Sequence, residues 1–132
     1  MICLDTNVLA RYIVQDDPKQ SRLATRLIES LTDEAPGYVG IVAVIELNWV
    51  LMACYGAGRQ QISQVLRTLL QTRCIVVAKA EAVWRAVRLF EKTNADFTDA
   101  LLKTLAEHDG CSEVVTFDRN AARQLDMRLL VD

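Results

Sequence analysis

Short apolar runs alternate with amphipathic stretches along this chain. The five runs that predict strands are residues 1–4, 38–41, 74–77, 113–116 and 128–131. Between them, apolar positions recur at helical spacing and predict seven helices, separated by breaks such as Asp17-Pro18 and Gly56-Ala-Gly58. This alternation predicts an α/β fold, with a central, mostly parallel sheet of four to five short strands and helices on both faces.

One acid interrupts the most apolar stretch, which runs over residues 38–54. Glu46 lies within the predicted helix there, between Ile45 and Leu47, and no Lys or Arg occurs in the stretch. A carboxylate in an apolar setting must find a cation, become protonated or reach a wet cleft. The alternatives are therefore an ion pair with a distant arginine and a role at a metal site.

Composition limits the class of protein. The chain has 132 residues, 52% of them hydrophobic and 24% charged, which predicts one globular domain over residues 1–132. Its net charge of −2 gives no bulk reason to expect a polyanion partner. The four cysteines are widely spaced without a CxxC pair, which disfavours zinc and suits a reducing cytosol.

Features of a membrane or secreted protein are not expected. The N-terminal apolar run has no basic region and is broken at Asp5, and the 38–54 stretch carries Glu46 and Asn48. We therefore expect a cytoplasmic protein that does not associate with a membrane.

Further acids follow strands or begin helices. Asp5 and Asp118 come directly after predicted strands, and Asp96 and Asp99 stand at a helix start. Each of them, taken alone, fits helix capping. Because ligands bind at the carboxyl ends of parallel strands, we also expect Asp5 and Asp118 to approach one edge.

Taken together with Glu46, these acids predict a metal site. Carboxylate oxygens are the ligands that Mg²⁺ and Mn²⁺ prefer. A metal held this way suits phosphodiester hydrolysis, because it neutralises phosphate charge and lowers the pKa of the attacking water.

Four segments in order give a resemblance to a known family. They are Leu4-Asp5-Thr6-Asn7, the helical Glu46, Ala95-Asp96-Phe97-Thr98-Asp99-Ala100-Leu101, and Val115-Thr116-Phe117-Asp118-Arg119-Asn120. This set resembles the PIN domain and, within it, the VapC-type toxins of bacterial type II toxin–antitoxin pairs. The resemblance spans nearly the whole chain.

The resemblance implies a role for each acid in a ribonuclease. Asp5, Glu46, Asp99 and Asp118 would bind Mg²⁺ or Mn²⁺ at the catalytic site, with Asp5 and Asp99 as the principal ligands. Asp96 would be a supporting or capping acid. Where the family often has an aromatic residue, three positions beyond Asp118, this chain has Ala121, so Asp118 is the weakest match.

Polar neighbours complete the predicted site. By the resemblance, Thr6 and Asn7 orient Asp5, and the Thr116 hydroxyl supports Asp118. Arg11 and Arg119 are weaker candidates for RNA contacts, with surface exposure or pairing to nearby acids as the alternative.

The resemblance also implies partners: an RNA substrate, a small cognate antitoxin protein and a second copy of the chain in a homodimer. Two other functions stay open at this point. A receiver-like signalling domain also uses an acidic Mg²⁺ pocket, but Thr6-Asn7 stands where its second acid belongs and Ala78-Lys79 follows the third strand. A PIN-like binding module without nuclease activity is the other alternative.

Overall fold

The computed structural model describes all 132 residues, Met1–Asp132. The chain divides into two compact units, unit 1 over Met1–Ala78 and unit 2 over Lys79–Asp132. Each unit combines helices with a small parallel sheet, so the predicted α/β class is confirmed. The prediction of one domain over residues 1–132 stays a prediction.

Unit 1 contains three strands and four helices. They are β1 (Ile2–Cys3), α1 (Thr6–Val14), α2 (Pro18–Glu29), β2 (Gly37–Val39), α3 (Ile41–Tyr55), α4 (Arg59–Gln71) and β3 (Ile75–Val77). The strands form a parallel sheet in the order β1-β2-β3. The core of the unit includes the fully buried side chains of Leu9, Val39, Leu47 and Leu66.

The central strand β2 requires a residue without a side chain at Gly37. A Cβ there would lie 2.9 Å from the Cδ1 atoms of both Leu4 and Leu31. Gly37 therefore allows these leucines to pack against the sheet at the point where β1 ends. That packing fixes the end of β1, and with it the backbone at Asp5.

Unit 2 contains three helices and two strands: α5 (Ala80–Lys92), α6 (Phe97–His108), β4 (Val115–Thr116), α7 (Arg119–Leu125) and β5 (Arg128–Leu129). Helices α5 and α6 share a core in which the rings of Phe90 and Phe97 meet edge to face, with centroids 5.8 Å apart and an interplanar angle of 85°. Strands β4 and β5 pair in parallel.

The predicted single sheet of four to five strands is not what the structure contains. All five strands are present, but they form one sheet of three strands and another of two. The strands are only two or three residues long, so each offers few backbone groups with which to recruit a further neighbour. The parallel pairing is as predicted.

Several predicted boundaries shift by a few residues. The strand predicted at 38–41 ends at Val39, because Gly40 begins the next helix as its N-cap. None of the helices is both long enough and apolar enough to cross a membrane.

Candidate active site

Asp5 lies between β1 and α1 in unit 1, at the N-cap position of the helix. The Leu4 amide donates a 2.8 Å hydrogen bond to the Tyr38 carbonyl, which ties this segment to β2. The Asp5 backbone is extended, as at an N-cap, but its side chain makes no capping hydrogen bond. The carboxylate is therefore exposed and available to a ligand.

Glu46 lies on the exposed side of α3. The opposite side of this helix is buried through Val44, Leu47 and Leu51, so the carboxylate reaches solvent although its sequence neighbours are apolar. The Thr6 hydroxyl donates a 3.0 Å hydrogen bond to Glu46 Oε2. Glu46 forms no salt bridge, which removes the alternative of an ion pair with a distant arginine.

The contact of Thr6 differs from the prediction. Thr6 is 5% exposed, and its hydroxyl proton is used on Glu46 and not on Asp5. The two residues are 40 positions apart in the sequence, and packing of α1 against α3 brings them together. Asn7 is exposed and lines a cavity of about 280 Å³ beside α1 and α2.

Three further acids lie in unit 2. Asp96 is at the N-cap of α6 and, like Asp5, makes no capping hydrogen bond. Asp99 is in the first turn of the same helix. Asp118 is at the N-cap of α7, where its Oδ1 accepts a 3.0 Å hydrogen bond from the Ala121 amide.

Electrostatic interaction joins these three carboxylates. Burial raises the pKa of Asp99, and the negative charges of Asp96 and then Asp118 raise that pKa further. Asp99 is therefore half-buried and close enough to Asp96 and to Asp118 to be repelled by each. A cation would relieve this repulsion.

Capping explains only one of the three N-cap acids. Asp118 caps its helix as the alternative interpretation predicted, whereas Asp5 and Asp96 do not. The Thr116 hydroxyl accepts a 3.0 Å hydrogen bond from the Asp118 amide, so Thr116 contacts the backbone of Asp118. Since only one oxygen of Asp118 is engaged in the cap, the other is left for a ligand.

The donor set suits a hard divalent cation. The five acids offer carboxylate oxygens without a thiolate or imidazole among them, the chemistry that Mg²⁺ and Mn²⁺ prefer. Within either unit, however, no group of three or more His, Cys, Asp or Glu side chains is gathered closely enough to hold a metal ion.

The two candidate RNA-binding arginines differ in their surroundings. Arg11 is engaged: its guanidinium donates to Gln20 Oε1 at 2.7 Å, to Asp16 Oδ1 at 3.1 Å and to the Tyr55 hydroxyl at 3.1 Å. This favours the alternative of pairing with a nearby acid. Arg119, the first residue of α7, is exposed.

The family model of the PIN domain matches residues 2–126 of this chain. The chain belongs to the PIN domain family. The match extends across both units of this PIN domain and includes every acid described above.

A relative in Aquifex aeolicus (strain VF5), the "VapC ribonuclease", is 28% identical to this PIN domain over 120 residues. The similarity covers 90% of this chain and 88% of the relative. The relative therefore matches the chain over nearly its full length.

Proposed function

We propose that this PIN domain is a metal-dependent endoribonuclease, the toxin of a toxin–antitoxin pair. The observation that carries the proposal is that Asp5 and Asp96 stand at helix N-caps without capping them, with Asp99 one turn into the second of these helices. The ribonuclease relative and the family resemblance support the choice of RNA as substrate.

Asp5 and Asp99 would be the principal ligands of Mg²⁺ or Mn²⁺, with Glu46 and Asp118 completing the set. When bound, such an ion supplies charge neutralisation at the phosphate and lowers the pKa of the attacking water. Thr6 fixes one oxygen of Glu46, which orients the other oxygen. The Ala121 amide does the same for Asp118.

A direct test is to incubate the purified protein with total RNA. We expect endonucleolytic cleavage with Mg²⁺ or Mn²⁺ and a loss of cleavage when a chelator is added, because the acids alone provide no nucleophile or phosphate-binding cation. Cleavage that persists at full rate in excess chelator would contradict metal dependence. Intact RNA under every metal condition would contradict the nuclease.

A homodimer is part of the proposal, and the outer side of α3 supports it. Val42, Trp49 and Met52 are 69%, 60% and 41% exposed. They recur at intervals of seven and three residues and so form an apolar stripe along the exposed side of the helix, with Glu46 at its edge. Such a stripe on a monomer is costly to leave in water, and a second copy of the same helix is the occupant that we propose.

We expect Trp49→Glu to convert the dimer to a monomer, because it introduces a charge at the centre of the stripe. Analytical ultracentrifugation of the wild type and the variant measures this directly. Leu102→Glu, at an exposed leucine on α6 of unit 2, is the matched control and should leave the mass unchanged. A wild type that sediments as a monomer at all concentrations would exclude this interface.

The remaining partner is proposed to be a small antitoxin protein, and the site of action the cytoplasm. Both follow from the resemblance to VapC-type toxins. A short antitoxin-like reading frame beside the gene would be the simplest supporting observation, followed by loss of RNA cleavage when its product is added.

A further inference from the structure

A groove in unit 2 carries basic side chains that the proposed catalytic site does not use. It is lined by Arg85, Arg88, Leu89 and Lys92 of α5 and by Thr104 and Glu107 of α6, and it encloses about 270 Å³. We call it the basic groove. With three cations and one carboxylate it is positive, although the whole chain has a net charge of −2.

Two of the three cations in the basic groove are available to a ligand. Arg85 pairs with Glu107 through Nη2 and Oε1 at 3.1 Å. Arg88 and Lys92 are exposed and have no carboxylate partner. Cations in a row on a solvent-exposed helix face usually pair with acids of the same chain. Arg88 and Lys92, the two most exposed cations of the basic groove, form no such pair.

Arg88 is also held in place without losing its charge. Its Cζ atom lies 5.9 Å from the ring centroid of Trp84, one turn earlier on α5. Such a cation–π contact restricts the guanidinium while leaving its N–H groups free to donate. An arginine positioned this way is suited to a planar oxyanion such as a phosphate.

The spacing of the cations fits the backbone of a nucleic-acid strand. Arg85 and Lys92 are seven residues apart on α5, a distance of about 10 Å along the helix at 1.5 Å per residue. A stacked strand carries one phosphate per roughly 3.4 Å of its axis. The row can therefore contact two or three successive phosphates.

We propose that the basic groove binds phosphates of the RNA substrate away from the scissile bond; this rests on the proposed ribonuclease function. Lys92 is the last residue of α5, and Asp96, the N-cap of α6, follows four positions later. Four residues of chain span at most about 14 Å. One end of the row is thus within a few nucleotides of the acids of unit 2.

The test measures binding separately from cleavage. The probe is a fluorescent, unstructured single-stranded RNA of about 20 nucleotides, and the protein carries Asp5→Asn so that the RNA stays intact. Anisotropy titrations over a range of salt concentrations compare Arg88→Gln/Lys92→Gln with Lys19→Gln/Arg22→Gln. The control pair removes two exposed cations of α2 that also form no salt bridge.

We expect the groove variant to bind RNA at least about 5-fold more weakly at low salt, and the control pair to change binding by less than about 2-fold. Because each contact to a single strand contributes about 0.7 to the slope of log K against log salt, the slope should fall by roughly 1.4 in the groove variant. Equal effects of the two variants would overturn the proposal, as would a parent protein that binds no RNA.

A third variant should act in the opposite direction, which a folding defect cannot imitate. Glu107→Gln removes the carboxylate of the basic groove and releases Arg85, so we expect tighter RNA binding and a steeper salt dependence. Displacement of the RNA by an equal charge concentration of polyglutamate would indicate an acidic protein partner instead and would overturn the RNA assignment.

Measurements of RNA binding and of RNA cleavage test the basic groove and the nuclease separately. If RNA is cleaved but the groove and control variants bind alike, the groove proposal fails and the nuclease stands. If RNA is bound through the groove but never cleaved in any metal, the nuclease proposal fails and the groove stands as an RNA-binding site.

Discussion

Asp5→Asn and Asp99→Asn are each expected to abolish metal-dependent RNA cleavage. Each replacement removes one charged oxygen ligand while keeping nearly the same shape, so the loss falls on the bound cation and not on packing. Losses of about 10²-fold or more are typical when a group that stabilises transition-state charge is removed. Initial rates on a defined RNA, at saturating Mn²⁺, measure the effect.

The fold should survive both replacements. Asp5 makes no capping hydrogen bond to its helix, and neither does Asp96, which lies close to Asp99. Asp99 itself is half-buried in the first turn of α6. Asp109→Asn, at the opposite end of the same helix, is the matched control, since Asp109 only pairs with Lys79 at 3.3 Å on the surface. It should leave cleavage unchanged. Full activity in both purified active-site variants would exclude the proposed ligands.

The stability of Asp99→Asn gives an independent check on the electrostatics. An acid whose folded-state pKa is raised contributes stability below its ordinary pKa, and loses that contribution as the pH rises through the folded value. At neutral pH, above the ordinary carboxyl pKa, the unfolded chain gains more free energy from ionising Asp99 than the folded chain does, so this group opposes folding. Without metal, we expect Asp99→Asn to have an equal or higher Tm than the wild type at pH 7, a difference that disappears below the ordinary carboxyl pKa of 3.8.

Glu46→Gln is expected to weaken metal binding and cleavage while leaving stability almost unchanged. Glutamine retains an oxygen that accepts the Thr6 hydroxyl, so the contact between α1 and α3 persists. What it lacks is the charge. Because glutamine keeps this contact with the buried Thr6 hydroxyl, the change leaves no buried group unpaired.

Titration of Mn²⁺ against cleavage rate and the unfolding midpoint in urea together test Glu46. We expect the Mn²⁺ requirement to rise by about 10-fold or more, the scale typical of groups that tune a metal site, with a stability change within about 0.5 kcal/mol. Glu29→Gln, an exposed acid at the end of α2, is the control. Stability lost with the metal requirement unchanged would assign Glu46 a structural role.

Local patterns predicted most of the secondary structure because each element here is short and clearly bounded. Apolar spacing predicted helices α5 and α6. A proline marked the start of α2, and a glycine marked the end of α3. The arrangement of strands was less accessible. The pairing of strands depends on contacts between positions far apart in the sequence. One example is the backbone of Gly37 against the side chain of Leu4.

The site shows the same limit. Asp5, Asp96 and Asp118 were found at helix starts because strand–acid–helix is a local pattern, but the sequence could not say which of them caps. Thr6 was predicted to orient Asp5, but its hydroxyl contacts Glu46, and the sequence could not show this because the contact depends on how α1 packs on α3. Glu46 was expected to need a partner, and the structure instead exposes it through the orientation of α3.

The missing caps at Asp5 and Asp96 affect the stability of the chain. Both occupy N-cap positions with the extended backbone that capping requires, yet neither side chain caps. An N-cap hydrogen bond stabilises a protein by about 1 kcal/mol. The chain forgoes that stabilisation at two helices, so selection for heat resistance alone would favour better caps at positions 5 and 96. At these two positions, selection for stability and selection for activity would favour different side-chain contacts.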